Sequence, residues 1–186
     1  MQEKLTKFGV VSENVEKAAK GFRDEVVPLA DVSFDNLNSI KIGGKAFNLK
    51  PLAGQSMATR LQVPYRYLER CDADLQAINL NAWVEKQKAD SSYLYVRYDG
   101  DAVRAVFTKR FVPLDNLDIV NEMSKLGIQD DADVQCYMDD RFMMLNVPSP
   151  EKKFALTKKD EMIPGFGVSN SEVGLASFSV SSFLLR

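Results

Sequence analysis

The chain has 186 residues, of which 45% are hydrophobic and 27% charged, the make-up of an ordinary globular protein long enough for one domain with a substantial core. Its net charge of −2 supplies no global basic field, so nucleic acid or anionic lipid would have to be met by a local patch. It contains no histidine, which excludes Ser-His-Asp and Cys-His catalytic pairs and His-ligated zinc or non-haem iron within the chain, and leaves a carboxylate-only Mg²⁺ or Ca²⁺ site open. No apolar run reaches the roughly 20 residues of a membrane helix, and MQEKLTKFGVV lacks the apolar segment of a signal peptide. Cys71 and Cys136 lie far apart and form no metal spacing, so a reduced, cytoplasmic protein without a cofactor is expected.

In chain order, residues 1–38 read as an N-terminal segment with a helix and an irregular strand. Ser12 is the expected cap of that helix, with Val15, Ala18, Ala19 and Phe22 on its buried side. Pro28 interrupts EVVPLADVSF, which argues for an edge strand. Residues 39–186 read as the core domain, one globular unit. Ile40 and Ile42 lead into Gly43-Gly44 and on to Phe47 and Leu49, a hairpin pattern. Pro51 is suited to the first turn of a helix to about Leu61, with Ala53, Met57 and Leu61 on one face, and Val63-Pro64 ends it. A short helix over Tyr65–Arg70 follows. Asp72 then caps a helix to about Lys88 whose apolar line is Leu75, Ile78 and Ala82, with Trp83 beside it as a core or rim residue.

Tyr93–Asn116, YLYVRYDGDAVRAVFTKRFVPLDN, carries the clearest local structure. Asp99-Gly100 is a hairpin turn signal, and placing the turn there sets Val96 opposite Val103 and Leu94 opposite Ala105 on a core face. The other face then carries Tyr93, Tyr95, Arg97 and Arg104, with Tyr95 opposite Arg104 in cation–π range. Aromatics interleaved with Arg on a sheet face are how single strands are stacked and neutralised, and Lys109 and Arg110 at the strand end would add phosphate contacts. If a helix covers that face, the same residues are architecture. Asp115 is the expected N-cap of a helix over Asn116–Leu126, with Ile119, Met123 and Leu126 as its stripe and Gly127 as its C-terminal stop.

Val134–Met138 and Arg141–Val147 read as a further hairpin around Asp139-Asp140. Those carboxylates are turn formers first and a cation site with Asp160 or Glu161 second. Pro148–Asp160 is a polar connection whose Lys152, Lys153, Lys158 and Lys159 suggest a solvated loop or a basic flap. Gly165-Phe166-Gly167 is too short for a phosphate loop. Ser169-Asn170-Ser171-Glu172 has no base to activate a serine and reads as a polar turn of unknown role. Beyond it, Ala176, Phe178, Val180 and Leu184 alternate with Ser177, Ser179 and Ser181, the pattern of a half-buried strand.

Three stretches carry a resemblance. VRAVFTKRFVPLDN (Val103–Asn116) is similar to the "RAV-S-RY-LDN" segment of the domain-of-unknown-function 932 family of phage, plasmid and some bacterial and archaeal proteins. LQVPYRYLERCDADLQAINLNAWV (Leu61–Val84) resembles that family's "L-I-P--yL-rc---L---nlN-W" stretch, and GFGVSNSEVGLASFSVSSFLLR (Gly165–Arg186) its "SNSE-G-----------R" segment, in the same order. Members usually continue past the final Arg, so the resemblance implies a shortened chain, and Thr108 stands near a Ser common in the family. It implies a mobile-element setting in the host cytoplasm and supplies no activity.

The expected fold is α+β, antiparallel hairpins forming a twisted sheet with helices packed on it. The first functional expectation is a non-catalytic nucleic-acid-binding protein of a phage or mobile element, holding single-stranded DNA through Tyr93, Tyr95, Arg97, Arg104, Lys109 and Arg110. The alternative is a protein-interaction module, an inhibitor of a host enzyme or a self-associating protein, binding through the serine face or a sheet edge. A carboxylate–Mg²⁺ nuclease stands third.

Overall fold

The structure, a computed structural model, describes residues 4–88, 92–157 and 160–186, so Lys158 and Lys159 of the basic connection lie outside the described residues. The fold is α+β, with two six-stranded, mostly antiparallel sheets among the described residues. The chain forms two compact units that do not divide at residue 38: Gly21–Val112 is one, and Met1–Lys20 with Pro113–Arg186 is the other. The reason is non-local pairing. The first strand, β1 (Lys4–Lys7), hydrogen-bonds to β8 (Asp133–Met138), and helix α1 (Phe8–Ala19) packs on helix α5 (Asn116–Lys125).

In the Gly21–Val112 unit, β2 (Phe22–Pro28), β3 (Val32–Asn36), β4 (Ser39–Ile42), β5 (Lys45–Leu49), β6 (Tyr93–Asp99) and β7 (Ala102–Thr108) lie in the order β2-β6-β7-β5-β4-β3. Only β5 and β7 run parallel, among the paired strands of this sheet. The two end strands are joined through a single 3-10 turn, Leu29–Asp31, so the sheet curls until its edges approach each other. Pro28 closes edge strand β2, where its missing N–H costs no ladder bond. Gly43 and Gly44 have φ of +57° and +83°, the geometry a two-residue primed turn requires and glycine adopts without a Cβ penalty.

Helix α2 (Pro51–Arg60) starts at its proline and buries Ala53, Met57 and the following Leu61. A short helix, α3 (Tyr65–Leu68), follows. Helix α4 (Ala73–Gln87) is capped by Asp72, whose carboxylate accepts the Leu75 N–H at 2.8 Å. Its inward face differs from the expected one: Leu75, Ile78 and Ala82 are exposed, and Leu80 and Val84 are buried with Trp83 packed partly against the core. Two amides explain the rotation. Asn81 accepts the Phe34 N–H at 2.8 Å and donates to the Phe34 carbonyl at 2.9 Å, and Gln76 accepts the Leu37 N–H at 2.9 Å. The helix thereby hydrogen-bonds to edge strand β3 where a further strand would otherwise pair, and the polar side chains must face inward to do it.

In the other unit, α1 begins at Phe8, not at Ser12, and buries Phe8, Val11 and Val15, while Phe22 belongs to β2. Strands β8 and β9 (Met143–Pro148) form the expected hairpin, in which Asp139 accepts the Arg141 and Phe142 N–H groups at 2.9 and 2.8 Å. Burial opposes ionisation of Asp139, yet the Tyr137 hydroxyl and those two N–H groups outweigh it and hold its carboxyl below the usual range. The sheet continues through β11 (Asp160–Asn170), whose start pairs with β10 (Phe154–Thr157) and whose remainder pairs with β9 on one side and β12 (Ser179–Leu185) on the other. Phe8, Ile119, Val120, Met123, Leu145 and Val168 lie in one core cluster. Leu126, expected in the α5 stripe, is exposed at the helix end, just before Gly127 at φ +97°.

Candidate nucleic-acid interface

The β6–β7 hairpin exists, with its turn one residue later than expected. Asp99 pairs with Ala102, and Gly100 (φ +56°) and Asp101 form the turn. Glycine as the first central residue, with Asp101 at ordinary φ, is the pattern of a type II′ turn. Tyr98 then faces Val103, but Arg97 faces Ala105, so Arg104 is an extra residue on β7. This bulge has a packing cause. Val103 and Val106 are three apart and both belong to the core, which strict alternation forbids and one inserted residue permits. Leu94, Val96 and Tyr98 face the core as expected, whereas Ala105 joins the opposite face and Tyr95 lies across from Phe107, not from Arg104.

That opposite face does not present its arginines to a ligand. Arg97 is 2% exposed and Arg104 4%. Arg97 Nε donates to Asp24 Oδ1 at 3.0 Å, and the Tyr95 hydroxyl donates to Asp24 Oδ2 at 2.7 Å, so one carboxylate on the neighbouring strand binds both. The Arg104 guanidinium lies 3.7 Å over the Phe22 ring. Tyr95 packs against Phe111 at 5.4 Å between ring centroids. Phosphate contact by Arg97 and Arg104, expected from the sequence, is therefore corrected: their burial and their contacts on β2 make them part of the architecture.

Tyr93, Lys109 and Arg110 have a different setting. Tyr93 and both cations are exposed, and the Lys109 ammonium lies 5.3 Å over the Tyr93 ring. Past the Lys109-Arg110 turn the chain folds back, with the Phe111 N–H donating to the Thr108 carbonyl at 3.0 Å. Phe111 thereby stacks on Phe107, centroids 3.8 Å apart and planes within 5°. Beside this pair opens a cleft of about 360 Å³ lined by Ser56, Arg60, Val106, Phe107, Thr108, Arg110 and Phe111. Arg60 reaches it from the last turn of α2, where Nη2 donates to the Tyr93 carbonyl at 3.4 Å and the buried Nε has no hydrogen-bond partner among the described residues. Neither Arg60, Lys109 nor Arg110 forms an ion pair with a described residue. The sequence reading missed Arg60, Phe107 and Phe111. The spacing F-x-K-R-F was the available signal for the last two; nothing local marks Arg60.

The Ser169–Glu172 motif is structural in its contacts. Asn170, buried, donates to the Leu114 carbonyl at 2.9 Å and to Asn116 Oδ1 at 3.0 Å. Glu172 Oε1 accepts the Asn116 N–H at 2.8 Å, which satisfies an otherwise orphan donor at the start of α5 and sets a carboxylate at the positive end of the helix. Ser171 donates to the Arg141 carbonyl at 2.6 Å and accepts the Leu175 N–H at 3.0 Å, while the Ser169 and Ser179 hydroxyls meet at 2.8 Å across β11 and β12. Asp115 and Asp118 complete a capping box at the same helix start. The LDN and SNSE motifs are thus two halves of one buried polar joint.

Among the described residues no group of three or more carboxylate or cysteine side chains is arranged to hold a metal ion, and no helix is long and apolar enough to cross a membrane. Cys71 and Cys136 are both free thiols, and burial pushes the Cys136 thiol up to about 11. No protein family, curated protein or solved structure matches the chain.

Proposed function

We propose that this chain is a non-catalytic nucleic-acid-binding protein of a phage or mobile element, which holds single strands at the open end of the β6–β7 hairpin. The observation that carries this reading is the conjunction of three cations without carboxylate partners among the described residues, Arg60, Lys109 and Arg110, with the Phe107–Phe111 stack and exposed Tyr93. Aromatic faces beside cations stack bases regardless of sequence while neutralising the backbone between them. The mobile-element setting in this proposal comes from the sequence resemblance of Val103–Asn116 to the 932 family.

Three cations bound the strength. At a slope of about −0.7 per phosphate neutralised on single strands, log K should fall with log salt at roughly −2. Binding is therefore modest, limited further by the overall charge of −2. Anisotropy of a labelled oligo-dT should rise at low salt and return to baseline by a few hundred millimolar. Lys109→Glu with Arg110→Glu should remove the signal. An anisotropy that stays flat at low salt refutes the reading.

A further inference from the structure

Strand β12 lies outside the interface above. It pairs with β11 over seven consecutive residues, Ile163↔Leu185 to Ser169↔Ser179, without a bulge. Its other edge pairs with no described strand. Between Glu172 and Arg186 the chain has no charged residue and no proline, so the usual guards of an open edge are missing. The side chains are equally uncovered. Val168 lies in the core cluster, and Val180, paired with it, continues the same face of the sheet, yet Val180 is 62% exposed and Leu184, two pleats further, 55%. Leu175 and Phe178, leading into the strand, are exposed as well. The half-buried strand expected from the alternation thus has its apolar face open, because α1 and α5 cover core residues of β8, β9 and β11 and leave β12 bare.

We infer that β12 pairs antiparallel with β12 of a second copy of this chain, across a two-fold axis at Ser182. In that register the open apolar face of the strand is self-complementary: Val180 falls opposite Leu184 of the other copy, while on the reverse Ser181 falls opposite Phe183 and Ser179 opposite Leu185. Ser182 meets itself, the one position where a charge would repel its own image, and there a neutral hydroxyl stands. Rows of N–H and C=O groups on both edges find partners, and the sheet runs on through the dimer. A seven-residue strand is ~24 Å long, a contact at the small end of specific interfaces, so a dissociation constant of roughly 10–100 µM is expected.

Sedimentation equilibrium of the full chain from ~5 to ~500 µM, a range spanning that constant, tests this. The expected result is a monomer–dimer equilibrium. Val180→Glu or Leu184→Lys alone should weaken it by at least tenfold, about 1.4 kcal/mol. The double variant should recover to near the parent, because position 180 of one copy faces position 184 of the other and the new charges are opposite. Should these variants misfold by circular dichroism, Ser182→Cys in a Cys71→Ser, Cys136→Ser background gives a second reading: mild oxidation should yield a covalent dimer, and Ser177→Cys should yield far less. A monomer at every concentration, open-ended oligomers, or a double variant no tighter than the singles overturns the inference.

Discussion

Arg97 separates architecture from binding. Replacing it with Met keeps most of the side-chain volume but removes the guanidinium that bonds Asp24 at 3.0 Å. Removing one partner of a buried ion pair typically costs about 3–5 kcal/mol, since the other charge is left desolvated. Asp24 is 24% exposed and keeps the Tyr95 hydroxyl at 2.7 Å, so water and one hydrogen bond reduce the penalty, and roughly 2–3 kcal/mol is expected. Trp83 is the single tryptophan and packs on the Gly21–Val112 core, so its fluorescence reports unfolding of that unit. With a urea m-value of about 1–2 kcal/mol/M, the midpoint should drop by roughly 1–3 M. A midpoint shift corresponding to under ~0.5 kcal/mol, the range of an ordinary surface substitution, would refute the architectural role and return Arg97 to the list of ligand-contacting residues.

Asn170→Ala deletes two hydrogen bonds from a buried amide, to the part-buried Leu114 carbonyl and to the buried Asn116 Oδ1. At about 2–4 kcal/mol it should lower Tm by roughly 5–12 °C by calorimetry, and a shift within about 1 °C would show that the joint is dispensable. Burial, then the Glu25 carboxylate, pushes Tyr98 up to about 12, so alkaline titration at the tyrosinate band should show one tyrosine of the folded chain ionising near that pH, a step that Tyr98→Phe lacks. Because the folded value is raised, the unfolded chain releases this proton first; stability is intact below about pH 10 and falls as pH rises towards 12, and Tyr98→Phe should remove that contribution. Gly165→Ala should destabilise by about 1–3 kcal/mol in urea melts, because its Cβ would meet the Phe183 ring and the Val147 carbonyl at 2.7 Å; a neutral effect would mean that β12 shifts freely.

Local chemistry was legible where the cause is local. Pro51, Asp72 and Asp115 mark helix starts, Gly43-Gly44 a turn and Gly127 a helix end, each by a backbone or capping preference that needs no distant partner. Non-local causes were not legible. Asn81 faces inward because a strand some forty residues earlier needs hydrogen bonds, and Gln76 because it ties the Leu37 N–H to the Leu68 and Cys71 carbonyls; together they reversed the reading of the Leu75, Ile78 and Ala82 line. The Arg104 bulge follows from two valines that both reach the core, and it displaced the Tyr95–Arg104 pair. Alternation predicted the face of Arg97 correctly and left its exposure open, since Asp24 on β2 lies more than seventy residues away in sequence. Of the residues expected to bind, Tyr93, Lys109 and Arg110, at the strand end, are those left exposed. Arg60 joins them only through the folding of α2 against β7.

The most direct test of the proposed function is the salt dependence of oligo-dT binding, measured for the parent and for Arg60→Ala, Lys109→Ala and Arg110→Ala in turn. Each substitution should flatten the log K against log salt slope by about 0.7 from a parent value near −2, while Arg104→Lys, at a buried position, should leave the slope unchanged in folded protein. A parent that does not bind, or a slope indifferent to all three cations, contradicts the account.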